Sequence, residues 1–218
     1  MLQCLRRRDS GIYQCVTRPA ELAIRLATRA DLPAIADIYN HEVSHSTSTF
    51  DTEPVTLENR RVWLESHNSA RHPAVVAALG SRSASLSDHR ANRGGRTIAG
   101  FGSLSPWSQR PAYARTAEVS VYVHRDARGR GVGRNLVVDL MARARAAGLR
   151  VLLARICAES RPSVALHESL GFRHIGTMRR VGEKFGRILD IEFYDLQLDR
   201  GADQSDGDQV PGDRSIAQ

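Results

Sequence analysis

The hexapeptide Arg128-Gly129-Arg130-Gly131-Val132-Gly133, set between a strand-like run and a helix-like run, constrains this chain more than any other feature. Upstream, residues 117–124 are apolar or alternating, the pattern of a central strand. Downstream, Val132, Leu136, Val137, Leu140, Met141 and Ala144 recur at three-and-four spacing, which predicts a helix with one apolar face and a C-cap near Gly148. Glycines at such a junction reach backbone conformations closed to other residues and let a ligand approach the main chain. The helix start aims unpaired N–H groups and the positive end of its dipole at the loop. Arg128, Arg130 and Arg134 add charge, and the whole suits a pyrophosphate. Taken alone, the hexapeptide also reads as a tight turn before a helix. No Gly-Lys-Ser/Thr follows it, which disfavours a nucleotide P-loop, and the glycine spacing disfavours a dinucleotide fold.

Around this centre the periodicities predict an α/β fold with helices packed on a mixed sheet. A short strand is expected at 23–27, then capping residues at 28–31 ahead of a helix carrying Leu32, Ile35, Ile38 and Tyr39. A second helix is expected from Thr56, with Leu57, Val62 and Trp63 facing in. Strands follow at 73–79 and 98–104, then a linker at 105–114. Beyond the loop and its helix come a buried strand at 149–156, a short helix at 163–170 stopped by Gly171, and strands at 172–177 and 188–198. The expected domain is 23–198. Residues 1–22 read as a loose extension, 80–97 as a flexible insertion rich in Ser, Arg, Gly and Asn, and 199–218 as a disordered tail.

Composition narrows the class. No apolar run is long enough to span a bilayer, and no apolar stretch follows the basic N-terminus, so neither a membrane protein nor a secretory signal is expected. Cys4, Cys15 and Cys157 form no paired framework and no C-x-x-C unit, which points to a reducing cytoplasm and to no structural zinc or other metal. The net charge of +7 admits two partners, nucleic acid or an anionic cofactor. Aromatics are only 6%, and the helix after Gly133 spends one face on core residues, so a nucleic-acid module is the weaker reading.

Arg128, Gly131 and Gly133 match the Arg/Gln-x-x-Gly-x-Gly/Ala signature of GNAT acetyltransferases, which this chain therefore resembles. Ser163-Val164-Ala165-Leu166-His167-Glu168-Ser169-Leu170-Gly171-Phe172 looks like the family's late helix and its Leu-Gly-Phe turn, independently of the first motif. The stretches 49–54, 110–113, 118–123 and 182–186 are similar to the phosphinothricin N-acetyltransferase subfamily, over roughly residues 24–198.

The resemblance implies a sheet of six to seven strands whose fourth and fifth strands splay to admit coenzyme A, with acetyl-CoA as cosubstrate and no metal. It implies transfer to the amino group of phosphinothricin, methionine sulfoximine or methionine sulfone, direct within a ternary complex, by an enzyme that pairs as a homodimer. Glu118 corresponds to the subfamily's base and His167 to a second catalytic group. Cofactor contacts are implied for Val121, Tyr122, Val123, Arg128, Gly129, Arg130, Gly131, Val132, Gly133, Arg134, Ser160, Ser163 and His167. Substrate contacts are implied for Phe50, Arg110, Tyr113 and Glu118. Ser160 departs from the asparagine common in relatives. A structural salt bridge for Glu118, a packed role for His167, a solvated Arg110 and a packing role for Tyr122 are the competing readings. Another amine acceptor (a polyamine, an aminoglycoside or a protein N-terminus) stays open.

Overall fold

The computed structural model describes residues 22–67, 70–80 and 97–198. The expected extension, insertion and tail lie outside these residues, except at their margins, where Leu22 and Thr97 open strands. In chain order the elements are β1 (Leu22–Leu26), α1 (Leu32–His45), α2 (Leu57–Ser66), β2 (Ala74–Leu79), β3 (Thr97–Pro106) and β4 (Thr116–Val123). They continue with α3 (Val132–Ala146), β5 (Val151–Cys157), α4 (Arg161–Glu168), β6 (Arg173–Lys184) and β7 (Arg187–Gln197). The seven strands form one sheet in the order β1-β2-β3-β4-β5-β7-β6. Every neighbouring pair is antiparallel except β4 with β5, joined through α3 as a parallel crossover requires.

Side-chain alternation assigns the two faces. Ala117 and Val119 of β4 join Val132, Leu136, Val137, Leu140 and Ala144 of α3 in the larger core, with Val164 and Leu166 of α4 against its margin. On the opposite face Ile35 and Ile38 of α1 pack with Val76 and Phe101, and Tyr122 and Trp63 lean on them. Gly148, at φ 71°, closes the α3 end as its sequence position predicts. Thr56 caps α2 by accepting a hydrogen bond from the Asn59 N–H at 3.1 Å.

Three expectations change. On α2 the buried positions are Arg60 and Leu64, whereas Leu57 and Val62 are 54% and 55% exposed. The helix turns its 60–64 stripe inward because the Arg60 guanidinium finds the Tyr39 ring, 3.8 Å from its centroid. The strand expected at 172–177 runs on to Lys184 as β6. β6 is an edge strand with almost no buried position, and its pairing with β7 shifts register between Met178 and Gly182, so period-two alternation is missing there. The short helix also starts two residues earlier than expected, at Arg161, since Pro162 fits a first helical turn.

Candidate active site

β4 and β5 are hydrogen-bonded partners only from Thr116–Glu118 to Val151–Leu153. Beyond Glu118 the strands part, and the wedge between them is a cavity of about 450 Å³. Its walls are residues 119–123 of β4 and 154–157 of β5, its mouth the glycine loop and the start of α3, its far side α4. The parted strands leave main-chain donors and acceptors facing the wedge, where a buried polar backbone must find partners.

The loop works through conformation. Gly129 and Gly131 hold φ values of 72° and 76°, the left-handed region in which side chains are strained. Gly131 caps α3, its carbonyl accepting from the Asn135 backbone N–H at 3.0 Å and from the Asn135 side-chain amide at 2.9 Å. The N–H groups of the first α3 turn have no carbonyl earlier in the helix to bind, and they sit at the cavity mouth with the dipole's positive end. A Cβ on Gly133 would come 3.2 Å from Leu166 Cδ2 and 3.5 Å from Val123 Cγ2, filling the gap between α3, α4 and β4. This is a phosphate cradle opening onto an extended slot, and it fits a long, phosphorylated cosubstrate such as acetyl-CoA.

Of the residues singled out from sequence, Val121, Tyr122, Val123, Arg128, Gly129, Gly131, Val132, Gly133, Arg134, Ser160, Ser163 and His167 all line this one cavity, and Arg130 does not. Arg134 donates to the Ser169 hydroxyl at 3.2 Å. Arg128 is turned toward α1, where its guanidinium pairs with the Glu42 carboxylate. Glu42 is 4% exposed, also lines the cavity, and accepts from the Ser46 hydroxyl at 2.7 Å. Glu42 went unremarked in the sequence, although it continues the inward 35–38–42 stripe of α1, where a carboxylate demands a partner.

His167 is 3% exposed, and its ring meets Phe172 edge-on at 5.0 Å. Its Nδ1 lies 2.8 Å from the Ser163 carbonyl oxygen, which can only accept, so Nδ1 carries the proton and Nε2 the lone pair. Nε2 is buried with no hydrogen-bond partner among the described residues. Burial lowers the imidazole's pKa and keeps this neutral tautomer near neutral pH. Burial raises the Tyr122 phenol in turn. The Tyr122 ring stacks on Phe101 at 5.2 Å and meets Tyr39 edge-on at 5.1 Å.

Glu118, Phe50, Arg110 and Tyr113 do not line the cavity. Glu118 marks the residue at which the β4–β5 pairing ends, and Arg155 Nε donates to its Oε1 at 2.8 Å, with the carboxylate side chain 14% exposed. Arg110 precedes and Tyr113 ends the exposed turn Pro111–Tyr113, which leaves β3 beyond the Ser105–Glu118 pair and so stands at the Glu118 end of the wedge. Phe50 is half-buried on the loop after α1, against β6.

A splayed parallel pair with a glycine cradle at its mouth defines a transferase that holds an extended, phosphorylated acyl donor. The profile of the Acetyltransferase (GNAT) family matches residues 36–172. The chain is 38% identical to the phosphinothricin N-acetyltransferase of Streptomyces coelicolor, over 82% of this chain and 98% of that protein. It is 38% identical to the L-methionine sulfoximine/L-methionine sulfone acetyltransferase of Pseudomonas paraeruginosa, over 81% of this chain and 95% of that one. Its fold superposes with a TM-score of 0.73 on a GNAT superfamily phosphinothricin acetyltransferase from Sinorhizobium meliloti solved with acetyl-CoA, at 30% identity over 87% of this chain and 95% of that one. The chain belongs to the GNAT acetyltransferase family: it is an N-acetyltransferase with acetyl-CoA as its cosubstrate.

Proposed function

We propose that the acceptor is the α-amino group of a small amino-acid-like molecule of the phosphinothricin, methionine sulfoximine or methionine sulfone type, acetylated by direct transfer in a ternary complex. The observation that carries this reading is the position of the Glu118 carboxylate at the apex of the splayed β4–β5 wedge, next to the turn that bears Arg110 and Tyr113. The relatives named above act on acceptors of this type.

Acetyl-CoA, when bound, supplies an acetyl thioester; the protein does the rest. Residues 121–123 flank the extended arm, the loop 128–134 receives the pyrophosphate, and Ser160 and Ser163 stand at the α4 end of the slot. An α-ammonium must lose a proton before its nitrogen can attack a carbonyl, and Glu118 takes that proton. Arg155 fixes the carboxylate's direction through its Nε hydrogen bond. As the new C–N bond forms, the C–S bond breaks; the His167 Nε2 lone pair orients the thioester region, takes the second N–H proton of the attacking amine and passes it to the departing thiolate. Arg110 offers a two-pronged grip on the acceptor's carboxylate, while Phe50 and Tyr113 wall its side chain. Cys157 is a buried free thiol at the end of β5, an inert packing role rather than an acyl carrier.

The enzyme works as a homodimer. Support comes from Ile175, Met178, Val181, Phe185 and Ile188, each 44% exposed or more along the open β6 edge and its hairpin with β7. Contiguous apolar exposure at an unpaired strand edge calls for a cover. A cytoplasmic location agrees with the unpaired Cys157. We read the basic surface as serving the anionic cosubstrate rather than nucleic acid or a membrane. Among the described residues no helix is long and apolar enough to cross a bilayer. The domain proper is the 23–198 segment.

A thiol-release assay with acetyl-CoA against methionine sulfone, methionine sulfoximine, phosphinothricin, the common amino acids, spermidine and an aminoglycoside tests the reading. Turnover confined to the first three is expected. Turnover only of the cationic acceptors would overturn the acceptor class and leave the fold and cosubstrate intact.

A further inference from the structure

The wall-forming Phe50 is held by β6, a strand from the far edge of the sheet. At Gly182 an added Cβ would fall inside the Phe50 ring at Cε2 and Cδ2 and 3.1 Å from Cζ. Gly182 is not at a positive φ, so its backbone alone would accept alanine. What excludes a side chain there is the aromatic ring lying flush on the strand. Two residues on, Lys184 is 4% exposed, and its ammonium donates to the Thr49 carbonyl at 2.7 Å and the Glu42 carbonyl at 3.4 Å. On the other flank the Tyr39 hydroxyl donates to the Asp51 carboxylate at 2.7 Å. The peptide carrying Phe50 is therefore pinned immediately before and after the ring. The register of β6 against β7 shifts between Met178 and Gly182, immediately before this stretch. The loop in turn reaches the cleft through Ser48, which lines it.

We propose that Gly182 is a specificity-determining residue and Lys184 a positioning residue for acetyl transfer. Gly182 sets the depth of the Phe50 ring, and with it the room left for the acceptor's side chain, while Lys184 fixes the main chain from which the ring projects. The proposal rests on the reading of Phe50 as a wall of the acceptor site. It differs from that reading in locating the determinant on a residue over a hundred positions away in the chain. Burying an ammonium is costly unless its donors are met, and here two backbone carbonyls meet them, which makes Lys184 a clamp and not a surface charge.

A double-mutant cycle between Phe50→Ala and Gly182→Ala tests it, read in the full chain by KM for methionine sulfone, KM for acetyl-CoA and melting temperature. Gly182→Ala in the native background is expected to raise the acceptor KM about tenfold or more, since small misplacements of substrate-positioning groups have effects of that order. The acetyl-CoA KM stays within about twofold and the melting temperature falls modestly, as overpacking predicts. In the Phe50→Ala background, adding Gly182→Ala should change neither the acceptor KM nor the melting temperature, because the ring it collides with is gone. Lys184→Met should copy the kinetic signature of Gly182→Ala. If the two substitutions couple in melting temperature but act independently on the acceptor KM, the contact is merely structural and the inference falls. If Phe50→Ala itself leaves the acceptor KM unchanged, the acceptor-site reading of Phe50 falls instead. The melting-temperature arm reads out whether or not a given acceptor is turned over.

Discussion

The cosubstrate side and the acceptor side of this enzyme are built from different materials. Toward acetyl-CoA the protein presents main chain: parted strands, two left-handed glycines and the first turn of α3. The acceptor side we propose is instead gathered from four places, Glu118 of β4, the loop after α1, the turn after β3 and the edge strand β6. A cosubstrate that never changes can be met by backbone geometry, which substitution alters little. An acceptor that varies between enzymes is met by groups that single substitutions can exchange.

If that contrast holds, damage on the two sides should separate in the kinetics. The largest effect is expected from Glu118→Gln, which should lower kcat about a hundredfold or more while leaving the acetyl-CoA dissociation constant near its native value. A variant as active as wild type at every pH would remove Glu118 from the mechanism and leave it as Arg155's salt-bridge partner. Next, Gly133→Val should close the gap against Leu166 and Val123 and raise the acetyl-CoA KM by about tenfold, with the acceptor KM unmoved. An effect of equal size on both constants would show that the two sides are not separable.

Arg128 tests the seam between them. Arg128→Gln leaves Glu42 buried without its cation and should cost about 2 kcal/mol in urea unfolding, less than a fully buried pair because Arg128 itself is half exposed. Adding Glu42→Gln should return most of that loss, since the amide oxygen still receives the Ser46 hydroxyl. The smallest effect is a slope. His167 is held below its ordinary pKa by burial, so under acid the unfolded chain binds a proton that the folded chain refuses. Stability from this group is present at neutral pH and lost as the pH falls. His167→Asn should therefore make the drop in melting temperature between pH 7.5 and 5.5 shallower by about 2 °C. Some slope will remain, because burial lowers His67 in the same direction.

The backbone-built side was also the side legible in the sequence. Glycines at fixed offsets and the Val132-to-Ala144 stripe are local signals that mark the loop and α3, while the family resemblance added residues 121–123, Ser160, Ser163 and His167 of the cleft lining. Arg130 is the exception, absent from the cavity lining that its neighbours form. The packing around the proposed acceptor side is long-range and leaves little local trace. Nothing near Gly182 announces Phe50, and nothing near Arg60 announces the Tyr39 ring that draws it inside. Apolar Leu57 and Val62 were the natural inward residues of α2, yet the aromatic cluster of Tyr39, Trp63 and Phe101 outweighs them and buries a guanidinium in their stead. The full length of β6 was hidden because Arg179, Arg180 and the register shift erase the alternation by which a strand is recognised.

The strand order carries a consequence for how the molecule is made. β7 is the last strand of the domain to be synthesised, yet it is laid between β5 and β6 rather than at a margin. β6 gains its strand partner only as β7 follows it from the ribosome, the hairpin pairing from Lys184 with Arg187 back to Arg173 with Asp195. The cleft between β4 and β5 can be assembled from segments that emerge one after another, while the acceptor wall we propose waits for β6, late in the domain. A chain halted before β7 would thus carry the acetyl-CoA cradle's sequence in full, with an unpaired edge at β5 exposed to any strand that arrives first.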